Sequence, residues 1–208
     1  MMQVGSPHTE TRNNALVIIL HEIYGVNDHI HYYRDLLIQE GLDVLTPDLL
    51  QGRVFTYDQD EQAYQNFVNE IGFEQAAEEV KKIVLTHRAN YDCIFLMGFS
   101  IGATLAWMNS DIGVDGVIGF YGSRIRNQVE VTPECPTLLF FASHEESFDV
   151  LVLTDKLQGK ENTTIEVIEG EHGFMNPFHH AYLPEELKRC MMKCKDFILK
   201  EVSAVGAN

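Results

Sequence analysis

Cys93-Ile94-Phe95-Leu96-Met97-Gly98-Phe99-Ser100-Ile101-Gly102-Ala103-Thr104-Leu105-Ala106-Trp107 is the stretch on which the fold turns. Its first five residues form an apolar run that fits a buried strand, and the segment from Ile101 to Asn109 is apolar nearly all round, which fits a central helix. Between them lies Gly98-Phe99-Ser100-Ile101-Gly102, a G-x-S-x-G pattern in the strand-to-helix setting that such an elbow requires. A residue on so tight a turn takes a strained backbone, and the flanking glycines remove side chains that would collide. The Ser100 hydroxyl then stands above the carboxyl edge of a sheet. The Ile101 N–H, at a helix N-terminus, faces the same space and suits a developing oxyanion. Ser100 is therefore the candidate nucleophile.

Outward from this point, strand and helix patterns alternate. Short apolar, β-branched runs predict strands at Leu16 to Leu20, Leu42 to Thr46, Val114 to Phe120, Thr137 to Ala142 and Thr164 to Ile168. Helices are predicted over His29 to Glu40, Gln59 to Asn69, Phe73 to Ala89, Phe148 to Leu157 and Leu183 to Val202. The alternation points to an α/β fold with a doubly wound, mostly parallel sheet. Residues 1–208 read as a single domain, with 1–13 as a flexible N-terminal segment.

The chain has 208 residues, 31 acidic against 15 basic, and a net charge of −16. Such a field disfavours phosphate backbones and anionic lipid surfaces, so neither nucleic acid nor membrane is an expected partner. The polar start, Met1 to Asn14, has no apolar signal-peptide region. Cys93, Cys135, Cys190 and Cys194 form no C-x-x-C pair and read as buried, reduced thiols in a cytoplasmic protein. The acid-rich segment 58–79 reads as a solvated helix face. The pairs His29/His31 and His179/His180 have no further ligands at metal-binding spacing.

Serine needs a base. His172, in Gly170-Glu171-His172-Gly173-Phe174, lies just beyond a predicted strand and follows the serine in chain order, as in α/β-hydrolases. A carboxylate after the strand Thr137 to Ala142 would orient that imidazole, and Glu145, Glu146 and Asp149 are the candidates. The loop His21-Glu22-Ile23-Tyr24-Gly25 ends the first strand, and there Ile23 N–H is the second candidate oxyanion donor. Glu22 would lie near the nucleophile, where a carboxylate is costly unless it is hydrogen-bonded or protonated.

The segments from His21 to Asn27, Thr46 to Leu49, Met97 to Ala103 and Gly170 to Phe174 resemble the dienelactone hydrolase family, in order, from about residue 13 to 200. The resemblance implies a compact α/β-hydrolase without a large lid. It further implies hydrolysis of a small-molecule ester or lactone with no metal or cofactor. By that resemblance Glu22 is the carboxylate beside the nucleophile, Ile23 and Ile101 give the oxyanion amides, His172 is the triad histidine and Glu145 the acid. The same triad also serves peptidases and acyltransferases, and a non-catalytic binding protein is a further alternative.

Three departures bear on chemistry. Ser100 stands where the namesake enzymes have cysteine, so it depends on a base rather than on a stored thiolate. Glu145 replaces the usual aspartate. Asn176 stands four residues after His172, where the namesakes carry an arginine that holds the lactone carboxylate. A neutral ester therefore fits better than an anionic lactone, in a pocket expected to use Tyr24, Phe55, Tyr121, Phe174 and Asn176. Arg53 and Arg124 are the cations that would overturn this if either reached the pocket.

Overall fold

A computed structural model describes residues 15–206; the predicted flexible segment 1–13 lies outside them. Strands β1 (Ala15–Leu20), β2 (Asp43–Leu45), β3 (Cys93–Phe99), β4 (Gly116–Phe120), β5 (Thr137–His144) and β6 (Thr163–Glu171) form one sheet in the order β2-β1-β3-β4-β5-β6. Every pairing is parallel. The helices are α1 (Asp28–Gln39), α2 (Asp60–Glu70), α3 (Phe73–His87), α4 (Ile101–Met108), α5 (Val150–Leu157) and α6 (Pro184–Val205). This is the doubly wound α/β arrangement.

Both faces of the sheet are covered, and the strands alternate between them. Val17 and Ile19 of β1, with Phe95 and Met97 of β3, pack under α1 and α6 against Tyr33, Leu37, Leu187 and Cys194. Leu16, Ile18, Ile94 and Leu96 point the other way and meet Val80, Val84 and Leu105 of α3 and α4. Double burial explains why these strands read as unbroken apolar runs. Cys190 and Cys194 lie one turn apart on the buried face of α6, and burial pushes both thiols up.

Of the boundaries that depart from the sequence expectation, three have clear local reasons. Strand β4 starts at Gly116 rather than Val114, because the Asp115 carboxylate takes the Ile94 N–H (2.7 Å) at that point of the ladder. Helix α5 starts at Val150 rather than Phe148, since Asp149 is its cap and accepts from the Leu151 and Val152 amides. Strand β6 runs on past Ile168 to Glu171, and its ladder with β5 continues to the pair His144–Glu171 across an irregularity after Ala142. There the Ser143 hydroxyl accepts the Gly170 N–H (3.2 Å).

The tightest packing is at the elbow between β3 and α4. A Cβ on Gly98 would lie 2.2 Å from Gly102 O, and one on Gly102 would lie 2.1 Å from Leu20 O. Both obstacles are backbone, which has little room to yield. Among the described residues, no helix is long and apolar enough to cross a membrane. Gly102→Ala should therefore lower the free energy of unfolding by about 1–3 kcal/mol or more, the range for overpacking a dense core. Urea denaturation checks this, and a wild-type midpoint would contradict the close approach.

Candidate active site

Four strand ends meet at the carboxyl edge of the sheet. β3 delivers Ser100, β1 the loop from His21 to Gly25, β5 Glu145, and β6 His172. Ligands of open parallel sheets bind at this edge. Ser100 takes φ 53° and ψ −113°, a backbone that L side chains avoid, and its N–H donates to Phe120 O (3.0 Å). Its hydroxyl lies 2.9 Å from His172 Nε2. His172 Nδ1 lies 2.8 and 3.0 Å from the two carboxylate oxygens of Glu145.

The register of β5 with β6 explains the last contact. His144 and Glu171 are ladder partners, so the residues after them, Glu145 and His172, leave the sheet side by side. The Glu145 side chain is 4% exposed and that of His172 37%, which leaves the imidazole open to the cleft and its acid covered. Of the other two candidate acids, Asp149 is occupied as the α5 cap, and Glu146 lies at the cleft wall.

Ile23 and Ile101 both line the cleft beside Ser100. Neither amide donates a hydrogen bond to any described residue. Ile101 is the first residue of α4, whose opening N–H groups have no partner within the helix. The cleft measures about 890 Å³ and mixes apolar surface with charged side chains at its walls. Asp60, Glu61 and Tyr64 of α2 form one side, and Glu145, Glu146 and Glu171 another.

Four of the five side chains expected to line it do not. Tyr121 and Phe174 are fully buried and pack on one another behind the His172 ring. Asn176 is buried too, and its amide nitrogen serves Glu22 (3.2 Å) and Tyr57 Oη (2.9 Å). Phe55 packs with the core on the far side of the loop and borders a separate shallow hollow, as does Arg53. Of the five, only Tyr24 reaches the cleft, where its hydroxyl donates to Asp60 (2.7 Å). Arg124 does line the cleft, but its guanidinium is bonded to the Tyr64 hydroxyl and lies 5.2 Å from that ring's centroid.

The sequence profile of the dienelactone hydrolase family matches residues 3–202. The chain belongs to that family. It is 40% identical over 166 residues to the uncharacterized protein YczH of Bacillus subtilis (strain 168), covering 78% of this chain and 81% of that one. Among solved structures it is similar to a Klebsiella pneumoniae protein provisionally described as a dienelactone hydrolase. The TM-score is 0.73 at 19% identity, over 90% of this chain and 86% of that one. It is also similar to esterase 2 of Thermogutta terrifontis phosphorylated by paraoxon, with a TM-score of 0.66 at 13% identity, over 91% and 83% of the chains. These structural likenesses show the α/β-hydrolase type of fold.

Below the cleft of this dienelactone hydrolase family member lies a charged group that sequence patterning did not reveal in full. Glu22 is buried, and it accepts from His29 Nδ1 (3.1 Å) and from Asn176. Burial pushes its pKa up, but the His29 charge and hydrogen bond, with the His172 charge, outweigh that, and the net shift is downward. The buried Tyr121 hydroxyl nearby makes no hydrogen bond to any described residue. His29 was visible only as half of a helical His pair. Its neighbour His31 instead faces Arg34, because residues two apart on a helix do not share a face.

A carboxyl whose folded pKa is depressed stabilises the fold above its ordinary value of 4.5, and loses that contribution as pH falls towards the folded value. Glu22→Gln should therefore be less stable than wild type at neutral pH, with a gap that narrows as pH drops below 4.5. Urea midpoints across that range test it; a gap independent of pH would show that Glu22 is not held ionised.

Proposed function

We propose that this dienelactone hydrolase family member is a serine-dependent hydrolase of small carboxylic esters or lactones. The observation that carries the reading is the unbroken hydrogen-bonded chain Ser100–His172–Glu145, built on a residue of strained backbone. Ser100 Oγ attacks the carbonyl carbon while His172 Nε2 takes its proton. Glu145 accepts from Nδ1–H, fixes the tautomer and stabilises the imidazolium. The Ile23 and Ile101 amides receive the charge that develops on the carbonyl oxygen. The intermediate collapses as His172 returns its proton to the leaving alcohol. Water, deprotonated by His172, then releases the acid from the acyl-enzyme and restores Ser100.

Ser100→Ala should abolish turnover of p-nitrophenyl esters, by a factor on the order of 10⁴–10⁶ in kcat, with the fold retained. Glu145→Gln should cost on the order of 10⁴ near neutral pH by favouring the wrong tautomer, whereas Glu146→Gln and Asp149→Asn should be mild. More than a tenth of wild-type activity in Ser100→Ala would remove the serine from its proposed role. Covalent labelling of Ser100 by a fluorophosphonate gives an independent check.

The cleft also supports a neutral substrate. Among the described residues, Glu22, Asp60, Glu61, Glu145, Glu146 and Glu171 all border it, against one arginine already engaged by Tyr64. His179 adds no cation near neutral pH, since burial and the neighbouring His180 push its pKa down. An anionic ester would have to bury its carboxylate without a free partner. For a short-chain neutral ester, kcat/KM should exceed that for dienelactone by at least about tenfold, or about 1.4 kcal/mol in transition-state binding. Equal or better turnover of dienelactone, lost in Arg124→Ala, would instead assign the carboxylate to Arg124.

A further inference from the structure

His21, the residue after β1, is completely buried, and both of its ring nitrogens are engaged. Nε2 lies 3.0 Å from the Leu49 amide nitrogen, and Nδ1 lies 2.6 Å from the carbonyl oxygen of Glu22. A backbone N–H only donates, so Nε2 is the acceptor and the ring proton sits on Nδ1, where it donates to Glu22 O. A single neutral tautomer thus satisfies both nitrogens, while a second proton would set an Nε2–H against the Leu49 N–H. Burial favours the neutral ring, opposed by the Glu22 carbonyl and the charges of Asp48 and Glu22, and the net shift of its pKa is downward.

The carbonyl that His21 holds belongs to the Glu22–Ile23 peptide. That peptide is trans, so its C=O and N–H point in opposite directions. Fixing the carbonyl on the buried side fixes the direction of the Ile23 N–H on the other. The Gly25 N–H donates to the same carbonyl at 3.2 Å and closes the turn, but it belongs to the loop itself. Among the described residues, His21 is what ties this carbonyl to a separate segment, the exit of β2, through Leu49.

We propose that His21 is a positioning residue for the oxyanion site, acting through the Glu22–Ile23 peptide to aim the Ile23 N–H at the reacting carbonyl oxygen. The proposal rests on the serine-hydrolase reading given above. The imidazole touches no substrate. Its effect falls on the transition state, where the oxyanion forms, and therefore on kcat rather than KM.

Two near-isosteric variants separate its two bonds. In His21→Asn the side-chain amide nitrogen occupies the place of Nδ1 and keeps the bond to Glu22 O. In His21→Gln the terminal amide reaches the place of Nε2 and keeps the bond from Leu49 N–H, leaving the carbonyl to Gly25 alone. Ester turnover and the rate of fluorophosphonate labelling are measured for both, with urea midpoints alongside. His21→Gln should lose on the order of 10²–10³ in kcat with KM nearly unchanged, the size of effect seen when one oxyanion donor is removed. His21→Asn should stay within about tenfold of wild type, even where the two variants are equally destabilised. The proposal is overturned if a folded His21→Asn falls as far as His21→Gln, or if both keep kcat and lose only stability. Should His21→Gln not fold, His21→Asn decides: a kcat within about tenfold of wild type supports the assignment, and a fall of about 10² or more with the fold intact overturns it. Wild-type protein that is neither labelled nor active removes the hydrolase reading, and this proposal falls with it.

Discussion

With no side chain on Gly102, the first turn of α4 presses directly onto the end of β1, where a Cβ would meet Leu20 O and His21 O. Gly98 permits the same closeness between β3 and α4. This contact sets the edge of the sheet. It brings the free amide of Ile101 and the Glu22–Ile23 peptide to one cleft, and it forces Ser100 into a positive φ. Such strain persists only where its surroundings over-determine it. Here α4 is buried over almost its whole length, so the elbow cannot relax without opening both the core under α3 and the packing on β4 and β5.

Two electrostatic regimes meet at that edge. The wall of the cleft carries exposed acids, and Arg124, which lines it, is occupied by Tyr64. Just beneath, Glu22 is enclosed with His29 and Asn176, and Asn176 is tied in turn to Tyr57. A buried carboxylate without donors would be neutral or destabilising, whereas one that accepts from two donors is held ionised. The Asn176 amide therefore acts below the site as a donor to Glu22 instead of meeting a ligand.

Much of this was readable along the chain. The buried runs in β1 and β3, the helical periods and the glycine-flanked serine are local patterns, and each maps onto an element found in the structure. The aromatic pocket was not readable. Tyr121 and Phe174 follow strands at the active edge, as pocket residues should, but the chain turns after each strand and sends both rings inward. Tyr121 does so at φ 42°. Position beyond a strand end tells which edge a residue occupies, and not the direction of its side chain.

By itself, the sequence determined the α/β class, the order of elements, the serine elbow and the family, because each depends on periodicity or on steric needs within a few residues. Only the tertiary structure decided which acid meets His172, what holds Glu22, and which cation lines the cleft. Those outcomes depend on register and on approaches between segments far apart in the chain. One step of slip between β5 and β6 would separate Glu145 from His172, and nothing local to either residue states that register.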